Sequence, residues 1–149
     1  MPPADPGFAA RVAASFERQP AMALIGATLD VVEAGRVVIG LAHRADIAQQ
    51  HGFVHAGILS TALDSACGYA ASSLMPADAG VLTIEFKVNL LAPAAGPRFR
   101  LEGQVVKAGR TISVVEGRAL QLADDGREKL VATMTATVMT IVGRAGIQH

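Results

Sequence analysis

Tryptophan is absent from this chain, and it has one tyrosine, one cysteine and no excess of either charge sign, with 13 basic residues against 13 acidic. Each shortage excludes something. The single Cys67 cannot form an internal disulfide, as expected in a reducing compartment. Balanced charge argues against a nucleic-acid surface or a polybasic membrane patch as the main role. No segment approaches 18 uninterrupted apolar residues, and the start, Met1-Pro2-Pro3-Ala4-Asp5-Pro6, lacks the basic-then-apolar pattern of a leader. The expectation is a soluble, cytoplasmic protein with neither nucleic acid nor membrane as partner. Aromatics make up only 4% of the residues while hydrophobic residues make up 51%, so the core must be aliphatic. The 15 glycines favour close packing of helix on sheet. At 149 residues the chain reads as one domain, 1–149, large enough to bury a core without staples.

Periodicity divides that domain into elements. Phe8, Val12 and Phe16 at four-residue spacing predict a short amphipathic helix over 7–18, closed by Gln19-Pro20. Segments 24–32 and 36–42, rich in β-branched residues and joined at Glu33-Ala34-Gly35, read as a hairpin. A loop, 43–54, leads to a helix over 56–74 that Pro76 and Gly80 end. In 81–91, Leu82, Ile84, Phe86, Val88 and Leu90 alternate with Thr83, Glu85, Lys87 and Asn89, which predicts a strand with one face on the core. Strands follow over 99–107 and 111–122, flanking Ala108-Gly109, with a bulge or exposed rim expected at Glu116-Gly117-Arg118. A last strand occupies 129–142, and 143–149 is expected to fray. The sum is an α+β fold in which a curved antiparallel sheet of about six strands wraps one long central helix.

One carboxylate stands out in that helix. The run 56–70 is apolar or small on nearly every face, yet it contains Asp64. A buried carboxylate is paired, protonated or retained for chemistry. Upstream, Gln49-Gln50-His51-Gly52-Phe53-Val54-His55 brings polar groups to the helix start, where free backbone N–H groups and the helix dipole can stabilise negative charge. His51 and His55 stand four apart, but no third ligand completes a set, so neither metal nor cofactor is expected.

Two separated motifs resemble the hotdog fold and, within it, the PaaI-like acyl-CoA thioesterases related to 4-hydroxybenzoyl-CoA thioesterase. His55-Ala56-Gly57, with Asp64 nine positions after the histidine, resembles the family's His-Gly-Gly helix start and its acidic residue. Lys87-Val88-Asn89-Leu90-Leu91-Ala92-Pro93-Ala94 resembles a family strand ending. The likeness runs over about 24–142. It implies hydrolysis of an acyl-CoA thioester by a homodimer or tetramer with its helices side by side. It also implies that the Ala56 N–H and Gln49, six positions before His55, hold the thioester carbonyl. Asp64 of the facing subunit would serve as general base or nucleophile, and Thr83 would help place water.

His55 is expected to orient the loop at the Ala56-Gly57 helix start. Phe53, Val54 and Ile58 are candidates for an acyl pocket that Phe16 and Met22 would cap, with core packing as the alternative for each. Lys107 and Arg110, with Arg127, could meet the phosphates of coenzyme A, although a solvated turn explains the same charges. Two further functions compete with hydrolysis. One is a non-catalytic acyl-CoA-binding module; the other is a hotdog dehydratase or hydratase, whose Asp-x-Asn-Pro-x-His pattern is missing here.

Overall fold

The chain folds as a six-stranded sheet, all of whose pairings are antiparallel, against one long helix, and the computed structural model describes residues 1–147. The elements are α1 (Phe8–Glu17), α2 (Pro20–Ile25), β1 (Thr28–Glu33), β2 (Arg36–Ala42), a 3-10 turn (Ala45–Ile47), α3 (Ala56–Ser72), β3 (Ala79–Leu90), β4 (Arg98–Ala108), β5 (Ile112–Leu122) and β6 (Glu128–Val142). This is the expected hotdog architecture. Strand order is β1-β2-β4-β5-β6-β3, so β3 does not join β4 in succession but crosses to the far edge and pairs with β6.

The helix predicted to stop at Gln19-Pro20 is followed by a second one, α2, where the hairpin was expected to begin. Proline fits the first helical position because its missing N–H has no partner to lose there. Gly26, at φ 73°, closes α2 in the left-handed conformation that glycine adopts without strain, and β1 starts only at Thr28.

Helix α3 lies on the sheet through Leu59, Ala62, Leu63, Ala66 and Cys67, all buried against strand residues that include Ile39, Leu101, Val115 and Met134. The approach is close enough to decide sequence. Gly103 of β4 stands opposite Gly117 of β5, and a Cβ on Gly103 would come within 2.4 Å of the Ala66 carbonyl oxygen. A Cβ on Gly117 would meet the Cys67 sulfur at 3.0 Å. The expected bulge at Glu116-Gly117-Arg118 is therefore absent, its register with both neighbours being continuous. Gly117 is there to admit the helix.

Arg11 ties α1 to the other end of α3. It pairs with Asp5 and donates to Ser72 Oγ and to the carbonyls of Ser72 and Met75, where α3 ends and the chain leaves it. Beyond β6 the chain turns at Arg144, whose carbonyl accepts from the Ile147 N–H, and Ile147 lies against Gly80. Gln148 and His149 lie outside the described residues. Among the described residues, no helix is long and apolar enough to cross a membrane.

The alternation along β3 needs correcting. A register shift between Thr83 and Glu85 makes Thr83 face Val138 and Phe86 face Ala136, so the strand changes parity at Ile84. Thr83 and Phe86 both share the helix-side face, while Glu85 bonds Thr137 on the other. The continuous apolar face expected of Leu82, Ile84, Phe86, Val88 and Leu90 does not form. The strand meets the core through Val81 and Val88, while Ile84 is 51% exposed, Phe86 42% and Leu90 54%.

Candidate active site

The start of α3 is built by hydrogen-bond subtraction. A helix leaves its first N–H groups without helical partners. Here the Leu59 and Ile58 N–H groups both donate to the His55 carbonyl, at 3.1 and 2.9 Å, and the Gly57 N–H donates to His55 Nδ1 at 2.9 Å. No acceptor for the Ala56 N–H occurs among the described residues. Ala56 has ordinary helical geometry, since no described non-glycine residue has positive φ, and its Cβ causes no strain. His55 acts as the helix cap that satisfies the neighbouring amides and leaves one donor open.

Gln49 is aimed by its own loop. Its side-chain carbonyl accepts the His51 N–H, and its amide nitrogen, a donor only, has no acceptor among the described residues. The loop is closed by Gln49 N–H to Phe53 O (2.8 Å) and Gly52 N–H to Gln49 O (3.0 Å). Gln49, Phe53, Val54 and Ala56 line one pocket of about 500 Å³, whose far side is the stretch from Leu90 to Ala94 that follows β3. Ile58 is not with them; it lies beside His55 and Gly57 in a separate depression that includes Thr61.

Asp64 is elsewhere. It lies eight residues along α3 from Ala56, about 12 Å at helical rise. Its carboxylate accepts a 2.9 Å hydrogen bond from Thr83 Oγ1, and both line a second pocket of about 320 Å³ with Gln19, Ser65, Gly68 and Tyr69. Burial raises the Asp64 carboxyl above the usual carboxylate range, and the Thr83 hydrogen bond offsets part of that. The neighbouring Cys67 thiol is pushed up to about 12, by burial first and by the Asp64 charge second, which makes it an inert packing group.

The expected site residues thus fall into two groups within one chain, Gln49 with Ala56 and Asp64 with Thr83. Lys107 and Arg110 are exposed near the β4–β5 turn, away from both pockets. Met22 is fully buried in the core and cannot cap a pocket, whereas Phe16 packs its ring against Tyr69 with centroids 6.0 Å apart.

Residues 51–126 match the thioesterase superfamily, a segment holding His55, Ala56, Asp64 and Thr83 and covering half of the chain. The chain belongs to the thioesterase superfamily. A solved thioesterase family protein from Silicibacter pomeroyi is 53% identical, over 92% of this chain and 100% of that one, with a TM-score of 0.89. The E. coli PaaI protein from the phenylacetic acid degradation operon is 19% identical, covers 91% of this chain and 94% of its own, and shares the fold at a TM-score of 0.80. A candidate esterase of Saccharolobus solfataricus is 35% identical over 85 residues, 57% of this chain and 60% of that protein. The chain thus spans less than two thirds of the length of that relative.

Three residues beside Asp64 lie outside the sequence-based expectation. Ser65 Oγ donates to Gln19 Oε1 at 3.1 Å, and Gln19 Nε2 donates to the Tyr69 hydroxyl at 2.9 Å. Ser65 and Tyr69 stand four apart on α3 and so share a face with Asp64's neighbourhood, a signal available in the sequence. Gln19 carries no such signal, because its partners are 46 and 50 residues away.

Proposed function

We propose that the protein hydrolyses an acyl-CoA thioester to the free acid and coenzyme A, at a site completed by two copies of the chain. The observation that carries this reading is the separation just described: an open N–H with an amide donor at the start of α3, and a desolvated carboxylate about two turns further on. The Ala56 N–H, the Gln49 amide and the helix dipole suit a carbonyl oxygen that becomes an oxyanion. Asp64 suits the attacking side, either removing a proton from water or adding to the carbonyl itself. In both routes water supplies the hydroxyl of the acid, the C–S bond breaks, and the thiolate takes up a proton.

One chain cannot bring both groups to one carbonyl. Two α3 helices lying antiparallel would place each Asp64 near the other's Ala56. Support comes from β3, an edge strand whose exposed Ile84, Phe86 and Leu90 suit continuation of the sheet into a second copy. Thiol release from a panel of acyl-CoA esters, with sedimentation of the same sample, tests this. Turnover by a dimer or tetramer is expected. A monomer at micromolar concentration that still turns over acyl-CoA would refute the shared site, and a protein that binds acyl-CoA without releasing thiol would favour the binding-module reading.

A further inference from the structure

We infer, on the basis of the proposed thioester hydrolysis, that His43 is a positioning residue for that reaction: its side chain, just past the end of β2, holds the Gln49 turn in the shape that presents the amide donor at the start of α3. It touches no substrate and acts through Gln49.

The tip of the turn is not held by burial. Gln50, His51 and Gly52 are exposed, and Val54 behind them is the buried residue of the loop's end. Its shape therefore depends on hydrogen bonds. Those already described, Gln49 N–H to Phe53 O, Gly52 N–H to Gln49 O and His51 N–H to the Gln49 side chain, all run within the turn and tie it to nothing else. Gly52 adds freedom. It sits at φ 87° with open space where a Cβ would be, and the latitude that lets glycine take that angle also lets its peptide groups rotate.

His43 supplies the hold from outside. Its Nε2 lies 2.6 Å from the Gly52 carbonyl oxygen, and because a carbonyl only accepts, Nε2 carries the proton and donates. Among the described residues, no other side chain from outside the turn bonds the backbone of 50–53.

The anchor is itself fixed. The His43 N–H donates to the Pro97 carbonyl at 2.8 Å, while Gln121 Oε1 accepts from the Ala95 and Gly96 N–H groups at 2.9 and 3.1 Å. Gly96 lies so close that a Cβ there would come within 2.9 Å of His43 Cβ. These residues follow directly on Leu90 to Ala94, the far wall of the Gln49 pocket, so His43 ties that wall to the turn carrying the donor. Rotation of the Gly52 peptide groups would disturb the neighbouring His51 N–H, the group that holds the Gln49 side chain. Misplacing a group that serves the transition state costs rate more than binding.

The test measures Tm and steady-state thiol release, from an acyl-CoA that wild type hydrolyses, for His43→Phe, His43→Gln and a chain carrying both His43→Phe and Gln49→Ala. His43→Phe keeps a ring but loses the donor, and is expected to lower kcat about tenfold with KM changed less than about twofold. Glutamine brings an amide N–H to the reach of Nε2, so His43→Gln should keep kcat within about threefold of wild type. In the Gln49→Ala background, His43→Phe should lower kcat by less than about twofold, since its effect passes through Gln49. A wild-type kcat in His43→Phe, an equal loss in His43→Gln, or the full loss repeated in the Gln49→Ala background would each overturn the positioning role. Should His43→Phe fail to fold, His43→Ala carries the same comparisons, and failure of both to fold would overturn the role by making His43 a folding residue. A wild-type kcat in Gln49→Ala would leave His43 nothing to position and overturn this inference alone. Absence of hydrolysis of every ester by wild type would overturn the proposed function with it.

Discussion

Replacing Asp64 by Asn is expected to lower kcat by about 10²-fold or more while leaving the fold intact. The amide keeps the size of the side chain and can still accept from Thr83 Oγ1, but it can neither take a proton from water nor attack a carbonyl. The stability effect has a definite sign. A carboxyl whose pKa is raised by folding favours the native state at low pH, and that contribution is lost as pH rises through the raised value. At neutral pH the ionised group is therefore a burden, and Asp64→Asn should melt at the same or a higher temperature than wild type. The same shift sets the pH profile. Activity that needs the ionised form should fall as pH drops through a value above the ordinary carboxylate range, and the residual activity of Asp64→Asn should lack that acid limb. Wild-type-like hydrolysis by the variant would sink the mechanism, and a variant that unfolds would assign Asp64 a structural role.

Gln49→Ala is the second large effect expected, a fall of about 10²-fold in kcat with KM changed much less. The Gln49 amide is held by the His51 N–H before any substrate arrives, so its donor is preorganised for charge that develops during reaction. Removing it should cost transition-state stabilisation more than ground-state binding. Stopped-flow and steady-state thiol release separate the two, and an unchanged kcat would remove Gln49 from the site.

Much of this was legible in the chain. The carboxylate in an otherwise apolar helix marks Asp64 because burial energetics make it anomalous, and the histidine before Ala56-Gly57 marks the helix start because caps are local. Local signals also gave the number of strands. What stayed hidden depends on partners distant in sequence. The bulge at Ile84 is invisible to a two-residue period, yet it decides that Thr83 and Phe86 share a face. Gly117 reads locally as a bulge, and only the approach of Cys67 reveals it as clearance. Helix α2 was masked by reading Pro20 as a stop, when proline at a first helical position is also a start. The exposed apolar side of β3 reads as core from its pattern alone, because pattern cannot tell a residue buried by its own chain from one suited to burial by another copy.

The two-copy site is tested most directly by complementation between two damaged chains. Asp64→Asn and Gln49→Ala are co-expressed with different tags, and the species carrying both tags is isolated and assayed for thiol release from an acyl-CoA that wild type hydrolyses. If Asp64 acts at the other copy's helix start, each mixed pair holds one site with both defects and one with neither, and about a quarter to a half of wild-type activity should return. If Asp64 instead serves the Ala56 and Gln49 of its own chain, every site in the mixture keeps one defect, and activity no higher than that of the separate variants would contradict the shared site.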